Sequence, residues 1–304
     1  MISKITIILL LFSSVVACGT YNVFTTLEKE KPQNLRQAAL LLEEGNPVKA
    51  KEVILSQIPQ PAQLVLQESS PSDNTFDYSQ ELAATMTGVE NGGQILSMYA
   101  MAEAQTSNVN ALNILVDIAQ VDADLKSGAS LNLTDQASDE AAIATFGPAM
   151  PPRCYEDAMS VNQSLDKAIA ILLATSILAG FDTEDIENKA RELRASLLKE
   201  DLFSAAIYTQ VNVICPVLEF DTDKDKKISE EEAAAISDER AEDLYNRINE
   251  AISFVQAMVD KTPGNENLEK ALSRMQSYLE KIDSLDESLS IGDKIRGFLV
   301  SQSK

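Results

Sequence analysis

The chain has 304 residues, 25 Lys and Arg against 47 Asp and Glu, a formal charge of −22 at pH 7, and neither His nor Trp. That charge repels nucleic acid and anionic lipid headgroups and attracts cations and basic partners. The missing His removes the commonest general base, the commonest zinc ligand and the Ser–His pairing, and no Gly-rich phosphate loop is present.

The first eighteen residues read as an export signal. Lys4 supplies the positive flank, residues 5–12 form a short apolar core, and Val15-Val-Ala-Cys18 follows. The core is too short for a membrane span. A small residue followed at once by Cys resembles the lipobox of bacterial lipoproteins, in which the thiol is diacylated, the signal is cut before it and the new amino group is acylated. On that resemblance residues 1–17 are a signal peptide, Cys18 carries the lipid, and residues 18–32 are a tether to a helical domain over 33–304. Several acyl chains at about 0.8 kcal/mol per buried methylene hold a protein on a membrane face. Gly19, where an Asp would retain the protein at the inner membrane, implies the outer membrane facing the periplasm; inner-membrane retention is the alternative.

From residue 33 onward the fold class reads as all-α. Period-two alternation is rare, aromatics are sparse, and Ala, Leu, Glu, Ile and Lys fill the periodic stretches. Residues 33–57 predict two short helices broken at Gly45-Asn-Pro47, with Leu35, Ala38, Leu41 and Leu42 on one face and Ala50, Val53, Ile54 and Ile58 on the next. Leu41-Leu-Glu-Glu-Gly-Asn-Pro-Val-Lys-Ala50 resembles a tetratricopeptide hairpin, which implies stacked helical hairpins; an irregular helical bundle is the other possibility. A polar connector is expected over residues 59–79, then helices near 80–87, 94–106 and 108–126, then an irregular stretch over 127–153. Residues 168–181 are almost continuously apolar and predict a core helix. Amphipathic helices follow over 183–199 and 202–214, the second expected to stop or kink near Cys215 because Pro216 lacks an N–H.

Asp221-Thr-Asp-Lys-Asp-Lys-Lys-Ile-Ser-Glu-Glu-Glu232 comes next. A hard cation takes six to eight oxygen ligands, which a short loop supplies when every second residue turns inward and a Glu closes the ring. Asp221, Asp223 and Asp225 stand at positions one, three and five. Lys227 at seven offers its backbone carbonyl, Ser229 at nine its hydroxyl, and Glu232 stands at twelve. The loop resembles the EF-hand family, with Phe220 before it and Ile228 at position eight in keeping. The resemblance implies one bound calcium ion. Lys226 replaces the family's Gly at position six, and Lys224, Lys226 and Lys227 add positive charge, so the expected affinity lies near the ~10⁻⁴ to 10⁻³ M of extracellular modules. Ser229 and Glu232 equally read as a capping box at the start of a plain helix. A second loop around Asp122 and Asp124 lacks the closing acid.

Beyond the loop, Ala241, Leu244, Tyr245, Ile248, Ala251, Ile252, Val255 and Val259 form one stripe and Leu268, Leu272, Met275, Leu279 and Ile282 another. Thr262-Pro-Gly-Asn265 reverses the chain between them, which predicts an antiparallel hairpin. With Cys18 acylated, Cys154 and Cys215 are the remaining thiols in an oxidising compartment, and a disulfide between them would close a loop of about 60 residues and stabilise the fold by roughly 4 kcal/mol; two buried free thiols are the alternative. Together these readings anticipate a lipid-anchored envelope protein that binds calcium and serves as a helical binding or scaffold module for an envelope protein or small ligand, without catalysis. An envelope glycan hydrolase using paired carboxylates and a spacer within a larger envelope assembly are the competing classes.

Overall fold

The computed structural model describes residues 33–67, 75–109, 152–155, 157–186, 188–225 and 227–303. The expected signal over 1–17, Cys18 with the tether expected over 18–32, the expected 108–126 helix apart from its first two residues, Lys226 and the Asp122–Asp124 segment lie outside the described residues, as does nearly all of 127–153. Among the described residues there are twelve α-helices, one 3₁₀ turn and no strand. The described residues form two compact units: those of 33–109 with those of 162–208, and those of 152–161 with those of 209–303.

In the first unit, α1 (Gln33–Glu43) and α2 (Pro47–Leu55) form a hairpin, with α2 also lying on α5 (Gly92–Thr106), and α3 (Gln60–Gln67) packs on α4 (Thr75–Met86). The break at Gly45 is a left-handed helix stop. Gly45 has φ +71°, its N–H donates to Leu42 at 3.1 Å and that of Asn46 to Leu41 at 2.7 Å, so the last carbonyls of α1 find partners. Leu35, Ala38, Ala50, Ile54, Leu96 and Tyr99 fill the space between α1, α2 and α5. Each large apolar side chain buried there contributes about 1.5–3 kcal/mol. The end of α3 is closed from outside: the hydroxyls of Tyr78 and Tyr99 donate to the carbonyls of Val65 and Leu66 at 3.2 and 3.3 Å. Glu103 is buried and paired with Lys51 at 2.7 Å, whose ammonium also lies over the Tyr99 ring. Ser79 on α4 donates to the carbonyl of Ala170 on α6 (Ala158–Leu178), and Ser97 donates to the buried Asp201 of α8 (Lys199–Phe220). Both α6 and α8 are long and apolar enough to cross a membrane, but 72% of the apolar stretch of α6 and 83% of that of α8 are buried, which makes them core helices.

Three expectations are corrected. The 59–79 connector holds α3 and the start of α4, because Pro61 falls in the first turn of α3, where its missing N–H costs nothing. The 183–199 helix shrinks to α7 (Ala190–Ser196). Upstream of α7, Asp182 accepts from the Glu184 N–H and the Lys189 ammonium, and Asp185 sits at φ +59°, so local side-chain bonds replace the helix ladder. Helix α8 runs through Pro216 to Phe220 instead of ending near Cys215. The missing bond to the Asn212 carbonyl is outweighed by burial of Val213, Ile214, Cys215 and Val217 around it.

In the second unit, α10 (Asp238–Lys261) and α11 (Glu266–Asp283) form the expected hairpin, and α12 (Ile291–Ser303) lies against both and against the short α9 (Glu230–Ala235). The buried face of α10 is rotated from the expected stripe: Phe254, Ala257 and Met258 are buried with Ala241, Leu244, Ala251 and Val255, while Tyr245, Ile248, Ile252 and Val259 are half-buried. Ile295, Phe298 and Leu299 of α12 close the core. Arg296 fastens α12 by donating to the Ile236 carbonyl at 2.8 Å and to the carboxylates of Asp238 at 2.6 Å and Asp293 at 2.8 Å.

Two glycine substitutions with open space around them should move stability in opposite directions. A Cβ on Gly45 meets nothing within 4 Å, so Gly45→Ala registers only the left-handed backbone and should cost about 1 kcal/mol. Gly93 is equally open but lies within α5, where Gly93→Ala should stabilise by about 0.5–1 kcal/mol. Urea unfolding of both variants checks the signs.

Candidate metal centre

The acidic loop begins where α8 ends and is held on each side. Phe220 and Asp221 are buried at its start and Ile228 is buried within it. Arg240, in the first turn of α10, reaches back to pair with Glu219 at 2.5 Å and lies 4.7 Å from the centre of the Phe220 ring. A third restraint is covalent. Cys154 is bonded to Cys215, with Cα atoms 4.6 Å apart and both residues fully buried. The bond places the 3₁₀ turn Pro152–Tyr155 beside the loop. The Lys224 ammonium lies 5.5 Å from the centre of the Tyr155 ring. Burial, and after it the charge of Asp221, pushes the Tyr155 hydroxyl pKa up.

Within the loop, Asp221, Asp223 and Asp225 each bring a carboxylate oxygen to within 4.8 Å of the others, Asp221 buried and the other two exposed. The Asp225 N–H donates to Asp221 at 3.1 Å and to Asp223 at 3.0 Å, and the Lys227 N–H donates to Asp225 at 2.8 Å. These bonds turn three like charges toward one point. Lys224 supplies the sharp turn, with φ +60°. A left-handed backbone costs roughly 1 kcal/mol for a side-chain-bearing residue.

Glu232 is not in the cluster. Its Oε1 accepts from the Thr222 N–H at 2.7 Å and hydroxyl at 2.8 Å, and its Oε2 from the Ser229 N–H and hydroxyl, both at 2.9 Å. The Glu232 N–H donates to the Ser229 hydroxyl at 3.2 Å, so Ser229 and Glu232 make a complete capping box on α9. Burial pushes the carboxyl pKa up, but the donors on Ser229 and Thr222 outweigh it and hold the pKa at about 2. Thus one acid ties the second residue of the loop to its end, while three others form the oxygen-rich cluster.

Tyr155 and Thr222 are the participants that sequence reasoning missed. Thr222 has a local signal, since the residue beside the first Asp lies close to whichever group closes the loop. Tyr155 has none beyond its adjacency to Cys154. With a folded pKa of about 2 against an ordinary 4.5, Glu232 contributes stability that is complete above pH 4.5 and is lost as the pH falls toward 2. Thermal melts should therefore show Glu232→Gln less stable than the parent at neutral pH, with the difference shrinking across that window; a constant difference would sink the assignment. No family model, curated protein or solved structure matches the chain.

Proposed function

We propose that the loop binds a single calcium ion and that the protein is a non-catalytic helical binding or scaffold module tethered to a bacterial envelope membrane. The observation that carries this reading is the convergence of Asp221, Asp223 and Asp225 oxygens within 4.8 Å. The donor set is all oxygen: three carboxylates, with the Lys227 carbonyl and the Ser229 hydroxyl nearby in sequence. That suits a hard cation, and exposed carboxylates on a bending loop suit the irregular, longer bonds of calcium better than the strict octahedron of magnesium. The spacing supports an EF-hand-like site in which Glu232 would join the ion only by giving up Thr222 and Ser229. Competition of that kind, with the lysines nearby, favours weak binding, about 10⁻⁴ to 10⁻³ M.

The α1–α2 hairpin supports a tetratricopeptide-like reading of the first unit, a type of helix pair that presents binding surfaces when stacked. Acylation of Cys18 would supply the membrane attachment, with the helical units exposed to the periplasm and an envelope protein or small ligand as partner.

Calcium at about ten times its Kd should stabilise the fold by about 1.4 kcal/mol and raise the Tm by a few degrees. Asp223→Asn combined with Asp225→Asn should erase the gain. Identical melting in calcium and in chelator would refute the metal reading. Cys18→Ser should move the protein from the membrane to the soluble fraction, and continued membrane attachment would refute the anchor.

A further inference from the structure

Lys224 stands between Asp223 and Asp225 on a flexible four-carbon stem, so its ammonium is tethered beside the carboxylates. An ammonium among carboxylates acts as an internal counterion that any incoming cation must displace. In this fold the ammonium is elsewhere. It lies over the face of Tyr155, 5.5 Å from the ring centre, and among the described residues it pairs with no carboxylate. The ring is where it is because Cys154, its neighbour, is bonded to Cys215, six residues before Asp221 on α8. The two halves of this arrangement lie far apart in sequence, and the disulfide, between cysteines 61 residues apart, is the short covalent path between them.

We infer that Tyr155 is a positioning residue for the loop: delivered by the Cys154–Cys215 disulfide, its ring holds the Lys224 ammonium clear of the three Asp carboxylates and thereby sets their affinity for a divalent cation. The inference rests on the calcium reading for its consequence, although not for its geometry. The ring's electron-rich face is sufficient for the task, and the phenolic hydroxyl is not required. In a reducing medium the turn bearing Tyr155 loses its covalent hold, so the same arrangement makes affinity depend on the oxidised state of the bond.

Calcium titration of the oxidised full chain, followed by calorimetry, tests this with four variants. Tyr155→Leu should weaken binding about two- to fivefold, the range of a single cation–π contact, while Tyr155→Phe should bind as the parent does. Lys224→Met should bind at least as tightly as the parent, and adding Tyr155→Leu to it should cost nothing further. An equal loss from Tyr155→Leu with and without Lys224 would reveal a merely structural role and overturn the inference, as would no loss at all. If the oxidised parent binds no calcium, the metal reading fails, and the positioning role is decided in the metal-free protein. There the Lys224 ε-methylene protons should be shifted upfield by the ring current in the oxidised parent and return to ordinary values when a dithiol reduces the disulfide to two thiols. Unshifted Lys224 protons in the oxidised parent overturn the inference, and this measurement needs no variant to fold.

Discussion

Three carboxylates gathered within 4.8 Å repel one another by about 1 kcal/mol per pair in bulk water and by about 3–4 kcal/mol near a protein surface. Hydrogen bonds within the loop and packing against the rest of the second unit hold them together. The N–H groups of Asp225 and Lys227 take up part of the charge locally. Further restraint comes from Ile228, buried within the loop, from Arg240 holding Glu219 and Phe220, and from Glu232 tying Thr222 to the start of α9. A cluster maintained in this way stores unfavourable electrostatic energy that a divalent cation relieves, so the scaffold and the proposed ligand act on the same term.

The scaffold also divides two tasks that the twelve-residue spacing assigns to a single ring. Asp221, Asp223 and Asp225 gather charge, and Glu232 closes the backbone through hydrogen bonds. Both arrangements use the same short stretch, but ionisation strengthens the hydrogen bonds to Glu232 while it sets the three Asp carboxylates against one another. The depressed Glu232 pKa keeps the closure intact throughout the neutral range.

What was legible in the sequence follows from how local each signal is. The Asp alternation reaches from one residue to the next but one, and the structure uses it at that range. The stop at Gly45 was readable for the same reason, since a left-handed residue followed by Asn-Pro is a backbone statement. The helix around Pro216 was misread because propensity was weighed without burial: the apolar residues on both sides of Pro216 outweigh its missing bond. Helix α12 went unassigned although Ser290 caps it, its hydroxyl accepting from the Asp293 N–H at 3.1 Å. Tyr155 was harder to read: the Cys154–Cys215 bond was anticipated, but that it sets the neighbouring ring beside the Lys224 ammonium depends on three-dimensional packing and has no local signal.

Arg296 gives the far end of the chain a weight that its short helix does not suggest. Its guanidinium joins the Ile236 carbonyl and the Asp238 carboxylate at the junction of α9 and α10 to Asp293 in the first turn of its own helix, and the turn after it, through Phe298 and Leu299, covers the apolar side of the α10–α11 pair. Unfastening of this helix would strip that cover and leave a greasy strip facing water. Such a strip is what chaperones and degradative proteases recognise, so local damage here would be converted into clearance of the whole polypeptide instead of accumulation of a partly opened one.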